Sequence, residues 1–308
     1  MTTILYSHPD CLAHDTGYDH PESPTRLKAL LAKLQEQEFA ALDRRPAPPA
    51  ARVQISRVHE ARYMEKVFAA VPTSGEANIS PDTIVSNKST GAFMRAAGSV
   101  CAAVDAIIGG EALNSFCAVR PPGHHASMAS TMGFCVFNNV AIGVEHARHG
   151  HGLGRVAVVD FDVHHGNGTE AIFRNDPAVM VASIHQAMIF PMSGARSDTG
   201  VGNIVNVPVV RNTSAVNFRA AFEAEIIPRL LEFNPEILFI SAGFDAHLSD
   251  PLADQKLAPA DFTWMTEQLM SVAEICCGNR LVSTLEGGYD PAALAQSGAA
   301  HVRALMRH

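Results

Sequence analysis

Two aspartates and a histidine alternate at the end of an apolar run in the segment VVDFDVHHGNG. Because side chains alternate along a strand, we expect Asp160, Asp162 and His164 to share one face. Two carboxylates beside an imidazole are costly to bury unless a cation neutralises them. Asp245, in the separate segment SAGFDAH, would complete an Asp-His-Asp set with an open position, as a catalytic zinc site requires. The residues predict a metal site, and the alternative is that Asp160 and Asp162 only cap the following turn.

Two adjacent histidines and one tyrosine are the further candidates for catalysis. His124 and His125 follow the rigid turn at 121–123, and adjacent imidazoles with different neighbours suit proton transfer to and from a water. Tyr289 follows two glycines, which let a loop fold tightly, and its phenol could donate to a developing oxyanion. Taken alone, each is more often a packing feature. The position of the histidines on the same predicted edge as the metal site favours catalysis.

The predicted secondary structure must position these residues. Short apolar runs predict strands, and the helical periodicity of the segments between them predicts helices. Strands that are apolar throughout and alternate with helices indicate a parallel sheet covered on both faces. The predicted fold class is α/β, a doubly wound parallel sheet flanked by helices, in a single domain over residues 1–308. The predicted strands are 4–6, 116–119, 156–161, 179–184, 204–207, 237–240 and 281–284, and the predicted helices lie near 24–38, 89–108, 138–149, 215–233, 260–276 and 291–306.

The carboxyl ends of the strands in such a sheet form the crevice in which α/β proteins bind ligands. The polar clusters all follow predicted strands, namely RPPGHHA, DVHHGNGTE, SAGFDAHLSDP and LEGGYD. Two long irregular segments, 185–203 and 246–259, lie at the same edge, and long loops in a compact domain are usually functional. We expect these two segments to form the rim of a pocket.

Length, charge and cysteine usage exclude several classes of protein. The 308 residues are 47% hydrophobic and 18% charged, and a chain of this length needs no disulfide or structural metal to hold its core. The formal net charge of -8, with no basic run longer than Arg44-Arg45, argues against a nucleic-acid partner. We find no segment typical of a membrane span and no signal peptide, so we expect no membrane partner and a cytoplasmic location. The six cysteines show no C-x-x-C pair, as expected of buried, inert thiols.

Longer motifs carry a family resemblance over essentially the whole chain. The chain resembles the histone deacetylase family, in particular its class II branch, the bacterial histone-deacetylase-like amidohydrolases and the acetylpolyamine amidohydrolases. The resemblance lies in RPPGHHA, MGFCVFNNVAI, VVDFDVHHGNGTE, SIHQ, SAGFDAHLSDPLA and LEGGYD. The N-terminal segment YSHPDCLAHDTGYDHPESPTRL is also similar to that of the family. The resemblance implies the arginase/deacetylase fold, a zinc-dependent amide hydrolase and a narrow tunnel for an acylated amine.

The resemblance also implies roles for single positions. Asp162, His164 and Asp245 match the zinc ligands of the family. Tyr289 matches the tyrosine that polarises the substrate carbonyl together with zinc. His125 matches the histidine that takes a proton from the zinc-activated water and returns it to the leaving amine.

The second histidine and the partners of the pair are implied in the same way. His124 matches the partner histidine, which Asp160 is expected to hold. Asn167 stands where some members have an aspartate, as in class II members. Because an amide cannot stabilise an imidazolium by charge, we expect a lower pKa for His125.

The walls of the implied tunnel follow from the same motifs. Phe134 and Phe190 match its two phenylalanines, which without the resemblance would be taken as core residues, and Gly133 is placed to let an alkyl chain pass. The segment 191–194 departs from the Pro-Gly-Thr-Gly usual in the family. Leu252 stands where polyamine-selective relatives can carry a glutamate that attracts a cationic chain. An apolar residue there favours acyl-lysine or a neutral acyl amide over an acetylpolyamine.

Two monovalent-cation sites are implied, mostly through backbone carbonyls. The positions that match the inner, structural potassium site are Asp160, Asp162, His164, Ser183 and Ile184. The positions that fall where the outer site would lie are Phe173, Asp176 and Val179.

These expectations lead to one main hypothesis and three alternatives. The main hypothesis is a zinc-dependent deacetylase that removes a short acyl group from a lysine-like amine, and the first alternative is deacetylation of an acylated polyamine or similar small amide. An arginase-like two-metal ureohydrolase would need further acidic ligands and would show two metals per chain. A non-catalytic binder with the same fold is expected to lack a ligand, a catalytic histidine or the tyrosine, and none is missing. A homo-oligomer, in which loops of a neighbour narrow the pocket, is compatible with each of these.

Most remaining histidines are expected to lie solvated in loops, namely His8, His14 and those at 149–151. His20 resembles a rim position of the family. His247 either lines the mouth of the pocket or caps a turn.

Overall fold

The computed structural model describes residues 2–307, in which one large sheet and one hairpin contain all the strands. The strands are β1 (Thr3–Ser7), β2 (Asp43–Pro46), β3 (Glu76–Ser80), β4 (Thr83–Ser86), β5 (Asn114–Cys117), β6 (Val156–Asp160), β7 (Val179–Gln186), β8 (Ile204–Val209), β9 (Ile237–Ala242) and β10 (Leu281–Leu285). The large sheet has the order β2-β1-β5-β10-β9-β6-β7-β8, and all its neighbouring strands are parallel. The predicted α/β fold class is confirmed.

Helices cover the sheet between the strands. They are α1 (Pro9–Ala13), α2 (Pro24–Lys33), α3 (Arg52–Ile55), α4 (Ala61–Ala70), α5 (Ser89–Ile108), α6 (Asn139–His151), α7 (Asn167–Phe173), α8 (Ala215–Glu225), α9 (Ile227–Phe233), α10 (Pro259–Cys277) and α11 (Pro291–Leu305). Strands β6, β7, β9 and β10 are buried along their whole length, as a parallel sheet with two covered faces requires. Five of the six cysteines are buried free thiols.

The predicted elements differ from the structure mainly where proline or polar residues intervene. The helix predicted at 215–233 is two helices, because Pro228 lacks the N–H that would continue the first one. The strand predicted at 116–119 begins earlier, at Asn114, whose buried amide donates to the Leu305 carbonyl. The helix predicted at 24–38 ends at Lys33, and a single 3-10 turn follows at Gln37–Phe39.

Two β elements were missed because their sequences are polar. Strand β2 has the sequence DRRP and lies at one edge of the sheet, where charges and proline protect the exposed backbone from pairing. The antiparallel pair β3 and β4 stands apart from the large sheet. Neither segment shows the apolar run that predicts a buried strand.

Helix α5 corrects the expectation that no segment is long and apolar enough to span a membrane. It meets that criterion by length and composition. Of its most apolar window, 67% is buried inside the fold. It packs against α6, α1 and β5, and therefore serves here as a core helix.

The strand order determines which loops meet. Strands β5, β10, β9 and β6 are consecutive neighbours and all point the same way. The loops that begin at residues 118, 286, 243 and 161 therefore leave the same edge of the sheet side by side. These loops carry the polar clusters singled out in the sequence.

Candidate active site

The three predicted metal ligands converge at the carboxyl ends of β6 and β9. Asp162 and His164 follow β6, and Asp245 follows β9. Nδ1 of His164 lies 3.1 Å from Oδ1 of Asp162 and 3.1 Å from Oδ2 of Asp245. One ligand atom from each residue lies within 4.8 Å of the other two. The structure thus brings these residues together as a set that could hold one metal ion.

The charges of this set fit a cation. Both carboxylates are fully buried. Burial and the neighbouring Asp162 raise the pKa of Asp245 to about 7. Burial alone would lower the pKa of His164, but its hydrogen bonds to both carboxylates raise it to about 10. Because the carboxylates favour a positive charge at this point so strongly, a metal ion fits the chemistry of the donor set.

Backbone amides hold the two carboxylates in place. Gly287 N–H donates to Oδ2 of Asp162 over 2.8 Å, and Val163 N–H donates to Oδ1 of Asp245 over 2.8 Å. A Cβ atom at Gly287 would lie only 2.1 Å from Oδ2 of Asp245. The glycine therefore lets the chain after β10 close directly against the metal ligands.

His124 is paired with Asp160 next to the metal set, with its Nε2 3.9 Å from Oδ2 of Asp162. Its Nδ1 lies 2.9 Å from Oδ2 of Asp160, and both side chains are buried. Burial alone would lower the pKa of His124, but the charges of Asp160 and Asp162 outweigh it and raise the pKa well above its usual value. The contact expected between His124 and Asp160 is present, and the two carboxylates favour the protonated form of this imidazole.

His125 lies beside His124 in a different environment. Its Nδ1 lies 2.7 Å from Oδ1 of Asn167, and the two imidazole ring centroids are 3.9 Å apart. The amide of Asn167 donates to Sδ of Met132 over 3.4 Å, so its oxygen faces His125. Nδ1 of His125 therefore donates, and Nε2 is the nitrogen that can accept a proton.

The pKa of His125 is lowered well below its usual value, mainly by burial and then by the charges of His124 and His164. The direction agrees with the sequence expectation, but the reasoning behind that expectation was incomplete. The hydrogen bond from His125 to Asn167 acts in the opposite direction and raises the pKa. Burial, which a sequence does not show, has the largest effect.

Glu286 is a buried carboxylate that sequence reasoning did not single out, although it belongs to the LEGGYD motif. It accepts hydrogen bonds from the backbone N–H groups of Gly123 and His124 over 2.6 and 3.1 Å, and from Oγ of Ser241 over 3.2 Å. Burial raises its pKa to about 7. Glu286 thus fastens the start of the histidine pair to the end of β10.

Tyr289 is held between an arginine and an aspartate. The guanidinium of Arg26 lies 4.7 Å from the centroid of the Tyr289 ring and donates to the carbonyls of Glu286 and Gly288. The backbone N–H of Tyr289 donates to Oδ2 of Asp250 over 2.6 Å. These contacts set the position of the phenol within the cavity described below.

Behind Tyr289 lies an ion network that the sequence analysis missed. Glu22 accepts from Arg26 over 2.8 Å and from Arg120 over 2.7 Å, and all three side chains are fully buried. Burial alone would raise the pKa of Glu22, but Arg120 and then Arg26 lower it to about 2. The partners are 4 and 98 positions away in the sequence, so only the first pair could be suspected from spacing.

Two expectations about histidines are corrected or decided. His14 is buried, not solvated. Its Nδ1 lies 2.7 Å from Oγ of Ser89, and its Nε2 lies 3.7 Å from Glu22. Burial lowers the pKa of His14 to about 4. Nδ1 of His247 accepts from the backbone N–H of Ser249 over 3.1 Å, so this residue caps a turn.

A cavity of about 230 Å³ reaches the metal set at His164. All four predicted substrate-binding residues line it, namely Gly133, Phe134, Phe190 and Leu252, together with His125, His164, Tyr289 and Asp82. Gly133 has φ +56, and a Cβ atom there would lie 2.3 Å from the His125 ring. The side of the passage next to His125 therefore requires glycine.

The two phenylalanines stand on the walls of this cavity. The ring centroids of Phe134 and Tyr289 are 5.8 Å apart, and those of Phe190 and His125 are 5.1 Å apart. Phe190 is 42% exposed, which a core residue would not be. The Phe134 ring also lies 4.9 Å from that of His20.

Asp82 is a wall residue that sequence reasoning missed. It lies in the turn between β3 and β4, where its Oδ1 accepts from the hydroxyls of Ser80 and Thr83 over 2.7 and 3.0 Å. Its Oδ2 accepts from the N–H of Gly133 over 2.9 Å. The small hairpin thus anchors the Gly133 turn and places a carboxylate at the cavity wall.

The rim of the cavity comes from the two long segments predicted for it. Phe190 lies in 185–203 and Leu252 in 246–259. Both segments also expose apolar side chains to solvent, at Met188, Met192 and Leu248. The rim is therefore more apolar and more accessible than the buried metal set.

Two histidines without an assigned role hold the rim segment 185–203 to the sheet. Nδ1 of His165 lies 2.8 Å from Oγ of Ser193, and Nε2 of His185 donates to the carbonyl of Gly194 over 3.0 Å. The other nitrogen of His165 lies 3.0 Å from Glu170. The departure from the family pattern at 191–194 is thus tied to the fold through Ser193 and Gly194.

The five positions that match the inner cation site lie together at the ends of two neighbouring strands. Asp160 and Ser183 are opposite each other in the register of β6 and β7, and Ile184 follows on β7. Asp162 and His164 follow β6. At the three positions that match the outer site, the backbone carbonyls face the side-chain amide of Asn203.

Comparisons with known proteins agree with this fold. Residues 20–305 match the family model described as the histone deacetylase domain. The chain is 39% identical over 279 residues to the histone deacetylase-like amidohydrolase of Pseudomonas aeruginosa, covering 89% of this chain and 73% of that protein. It is 35% identical over 328 residues to polyamine deacetylase HDAC10 of Homo sapiens, covering 99% of this chain and 48% of that protein.

A solved structure is similar over the whole chain. The crystal structure of the HDA15 HD domain matches with a TM-score of 0.94 and 30% identity, covering 100% of this chain and 89% of that one. The curated relatives differ greatly in length, and the chain spans between 20% and 97% of theirs. The chain therefore belongs to the histone deacetylase family. The predicted family and the predicted enzyme class, a deacetylase or amidohydrolase of linear amides, are confirmed.

Proposed function

We propose that the protein is a zinc-dependent deacetylase that hydrolyses the amide of an acetylated or short-acylated amine such as acyl-lysine. The observation that carries the proposal is the set of Asp162, His164 and Asp245, whose His164 lines a cavity that also presents His125 and Tyr289. The proposed catalytic unit is a single domain over residues 1–308 in a cytoplasmic protein.

Asp162, His164 and Asp245 would hold the zinc ion. When bound, zinc would supply a Lewis acid that polarises the acyl carbonyl and lowers the pKa of a water molecule. The Tyr289 hydroxyl donates to the carbonyl oxygen as negative charge develops on it. Burial raises the pKa of Tyr289 well above its usual value, so the phenol keeps its proton and remains a donor at neutral pH.

His125 is the proposed general base and acid. Its Nδ1 donates to Asn167, which leaves Nε2 to accept the proton of the attacking water and to return it to the leaving amine. The lowered pKa of His125 keeps the imidazole neutral before reaction, as a base requires. The charge that His124 carries when it is protonated beside Asp160 contributes to that lowering and so helps to keep His125 free of a proton.

The cavity supports a linear acyl amine as substrate. Rings of Phe134 and Phe190 and the bare backbone of Gly133 form an apolar, narrow passage, which suits the methylene chain of an acylated lysine. Leu252 adds an uncharged side chain at the mouth and is 38% exposed. No nucleic-acid or membrane partner is part of the proposal. The proposal includes a structural potassium ion at the inner site.

A second candidate is deacetylation of an acylated polyamine or another small amide. The carboxylate of Asp82 lines the cavity, and an anionic wall attracts a cationic amine chain. One relative is named a polyamine deacetylase. Leu252 acts against this candidate, because an apolar side chain at the mouth has no charge to offer.

The test is a comparison of kcat/KM on zinc-loaded protein for an acetyl-lysine peptide, acetylputrescine and acetylspermidine, with longer acyl-lysine peptides to find the accepted acyl length. We expect the acetyl-lysine peptide to be preferred. Removal of zinc with a chelator, followed by its return, is the control. A clear preference for an acetylpolyamine would favour the second candidate, and failure to hydrolyse any acyl amide would overturn both.

A further inference from the structure

A single buried amide faces three backbone carbonyls just before β8. Nδ2 of Asn203 lies 2.8 Å from the carbonyl oxygen of Phe173, 2.9 Å from that of Asp176 and 2.7 Å from that of Val179. Asn203 is 5% exposed. An amide nitrogen carries only two protons, so it cannot donate a separate hydrogen bond to each of the three oxygens. The three oxygens therefore converge on a single donor atom.

The orientation of the amide follows from its other half. The backbone N–H of Val201 donates to Oδ1 of Asn203 over 3.2 Å, so the oxygen faces this N–H and the nitrogen faces the carbonyls. Gly200 has φ +58, and a Cβ atom there would lie 2.7 Å from Oδ1. The glycine turn therefore makes room for the side chain in this orientation.

Two of the three carbonyls already have backbone partners. The N–H of Asp176 donates to the Phe173 carbonyl over 2.9 Å, and the N–H of Val179 donates to the Asp176 carbonyl over 3.1 Å. The amide is thus not required merely to satisfy these two acceptors. The amide instead places a partial positive charge where the partial negative charges of three carbonyl oxygens meet. In other proteins, converging carbonyl oxygens of this kind bind monovalent cations.

The same three carbonyls match the outer monovalent-cation site of the family. Because the Asn203 nitrogen stands where they converge, the residues present do not fit a cation there. We propose that the Asn203 side chain replaces the outer cation, as a permanently attached donor that binds the end of α7 to the start of β8. The rim segment 185–203 ends at Asn203, so its attachment does not depend on the concentration of monovalent salt.

The test is thermal unfolding in potassium chloride and in tetramethylammonium chloride at equal ionic strength, which needs no measurement of activity. In Asn203→Asp the donor becomes an acceptor of the same size, and a carboxylate facing three carbonyls requires a cation. We expect this variant to be destabilised in tetramethylammonium and to regain several degrees of Tm in potassium, beyond the potassium effect on the unaltered protein. Asn217→Asp, on the exposed face of α8, is the matched control and should show only the potassium effect of the unaltered protein.

Asn203→Ala decides the matter if the aspartate variant does not fold. It leaves the three carbonyls without the amide, and we expect it also to acquire an additional potassium effect on Tm. The same potassium effect in the unaltered protein as in every foldable Asn203 variant would overturn the proposal. A thallium(I) peak among the three carbonyls in crystals of the unaltered protein would overturn it as well.

Discussion

The floor and the rim of the cavity are built in opposite ways. The floor, which we define as the metal set with His124 and His125, lines the cavity through His125 and His164. It consists of buried polar groups, each with a fixed partner. The rim, formed by the segments 185–203 and 246–259, exposes apolar side chains, among them Met188 and Leu248 at 83% and 61%. The floor is suited to one kind of chemistry, and the rim to the choice of substrate.

The difference has a physical cause. A buried charge without a partner is very costly, so a change in the floor disturbs every group that shares its hydrogen bonds. An exposed apolar side chain loses little when it is replaced, because water already covers part of it. We therefore expect large effects on all substrates from floor variants, and small, substrate-dependent effects from rim variants.

The largest effect is expected for Asp162→Asn. Loss of a charged ligand should remove zinc and lower kcat/KM for every acyl amide by more than the ~10–100-fold typical of a change to an outer partner of a metal ligand. Zinc content per chain and kcat/KM on two substrates are the measurements. Asp19→Asn, on the exposed surface, is the control. A variant that kept its zinc and its activity would contradict the proposed ligand set.

The ion network behind Tyr289 extends the floor, and Glu22→Gln should break it. Two arginines would be left buried with one partner fewer, which costs about 3–5 kcal/mol of unfolding free energy. Chemical denaturation at neutral pH measures this, with Glu232→Gln, which is 78% exposed, as the control.

The same network predicts a pH dependence of stability. Because the pKa of Glu22 is lowered to about 2 from 4.5, the stability it contributes is present above pH 4.5 and is lost as the pH falls from 4.5 to 2. We expect the unaltered protein to lose more unfolding free energy across this window than Glu22→Gln. Equal losses in both proteins would mean that ionisation of Glu22 contributes no pH-dependent stability in this window.

Tyr289→Phe is expected to separate catalysis from metal binding within the floor. It removes one donor to the transition state, worth ~2.7–4 kcal/mol or about 10²–10³ in kcat, while the zinc ligands are untouched. Zinc content should stay at that of the unaltered protein. Tyr18→Phe, on a fully exposed tyrosine, should change neither quantity. Near-normal kcat in Tyr289→Phe would show that another group stabilises the oxyanion.

Leu252→Glu is expected to have the smallest effect and to act only through the rim. An exposed ion pair is worth up to ~1 kcal/mol, so kcat/KM for an acetylpolyamine should rise by no more than about fivefold and should fall again with added salt. The acetyl-lysine peptide should be nearly unaffected. Leu252→Gln is the uncharged control of similar size. An equal change on both substrates would remove the distinction between floor and rim.

The fold could be predicted because its signals are local. The apolar runs of β6, β7, β9 and β10 mark a sheet buried on both faces, and long helices such as α5 and α10 show their own periodicity. Strand β2 and the hairpin of β3 and β4 could not be predicted in this way, because an edge strand and a detached hairpin do not need apolar sequences.

The candidate site likewise contains residues that the sequence could predict and contacts that it could not. Asp162, His164 and the His124-His125 pair lie in short contiguous motifs, and the strand order brings these motifs to one edge. Asp82 reaches Gly133 across 51 positions, and no local pattern marks such a contact. Burial, likewise invisible in the motif, determines the pKa of His125 more than its Asn167 partner does.

By itself the sequence determined the family, the parallel α/β architecture and the residues able to form a metal set, because short contiguous motifs and apolar runs indicate each of these. Only the tertiary structure decided which charges are buried together, as in Glu22 with Arg120 across 98 positions, and which donor meets the carbonyls of Phe173 and Val179. The physical reason is that desolvation and long-range pairing depend on what surrounds a group in space, and chain neighbours make up only a small part of those surroundings.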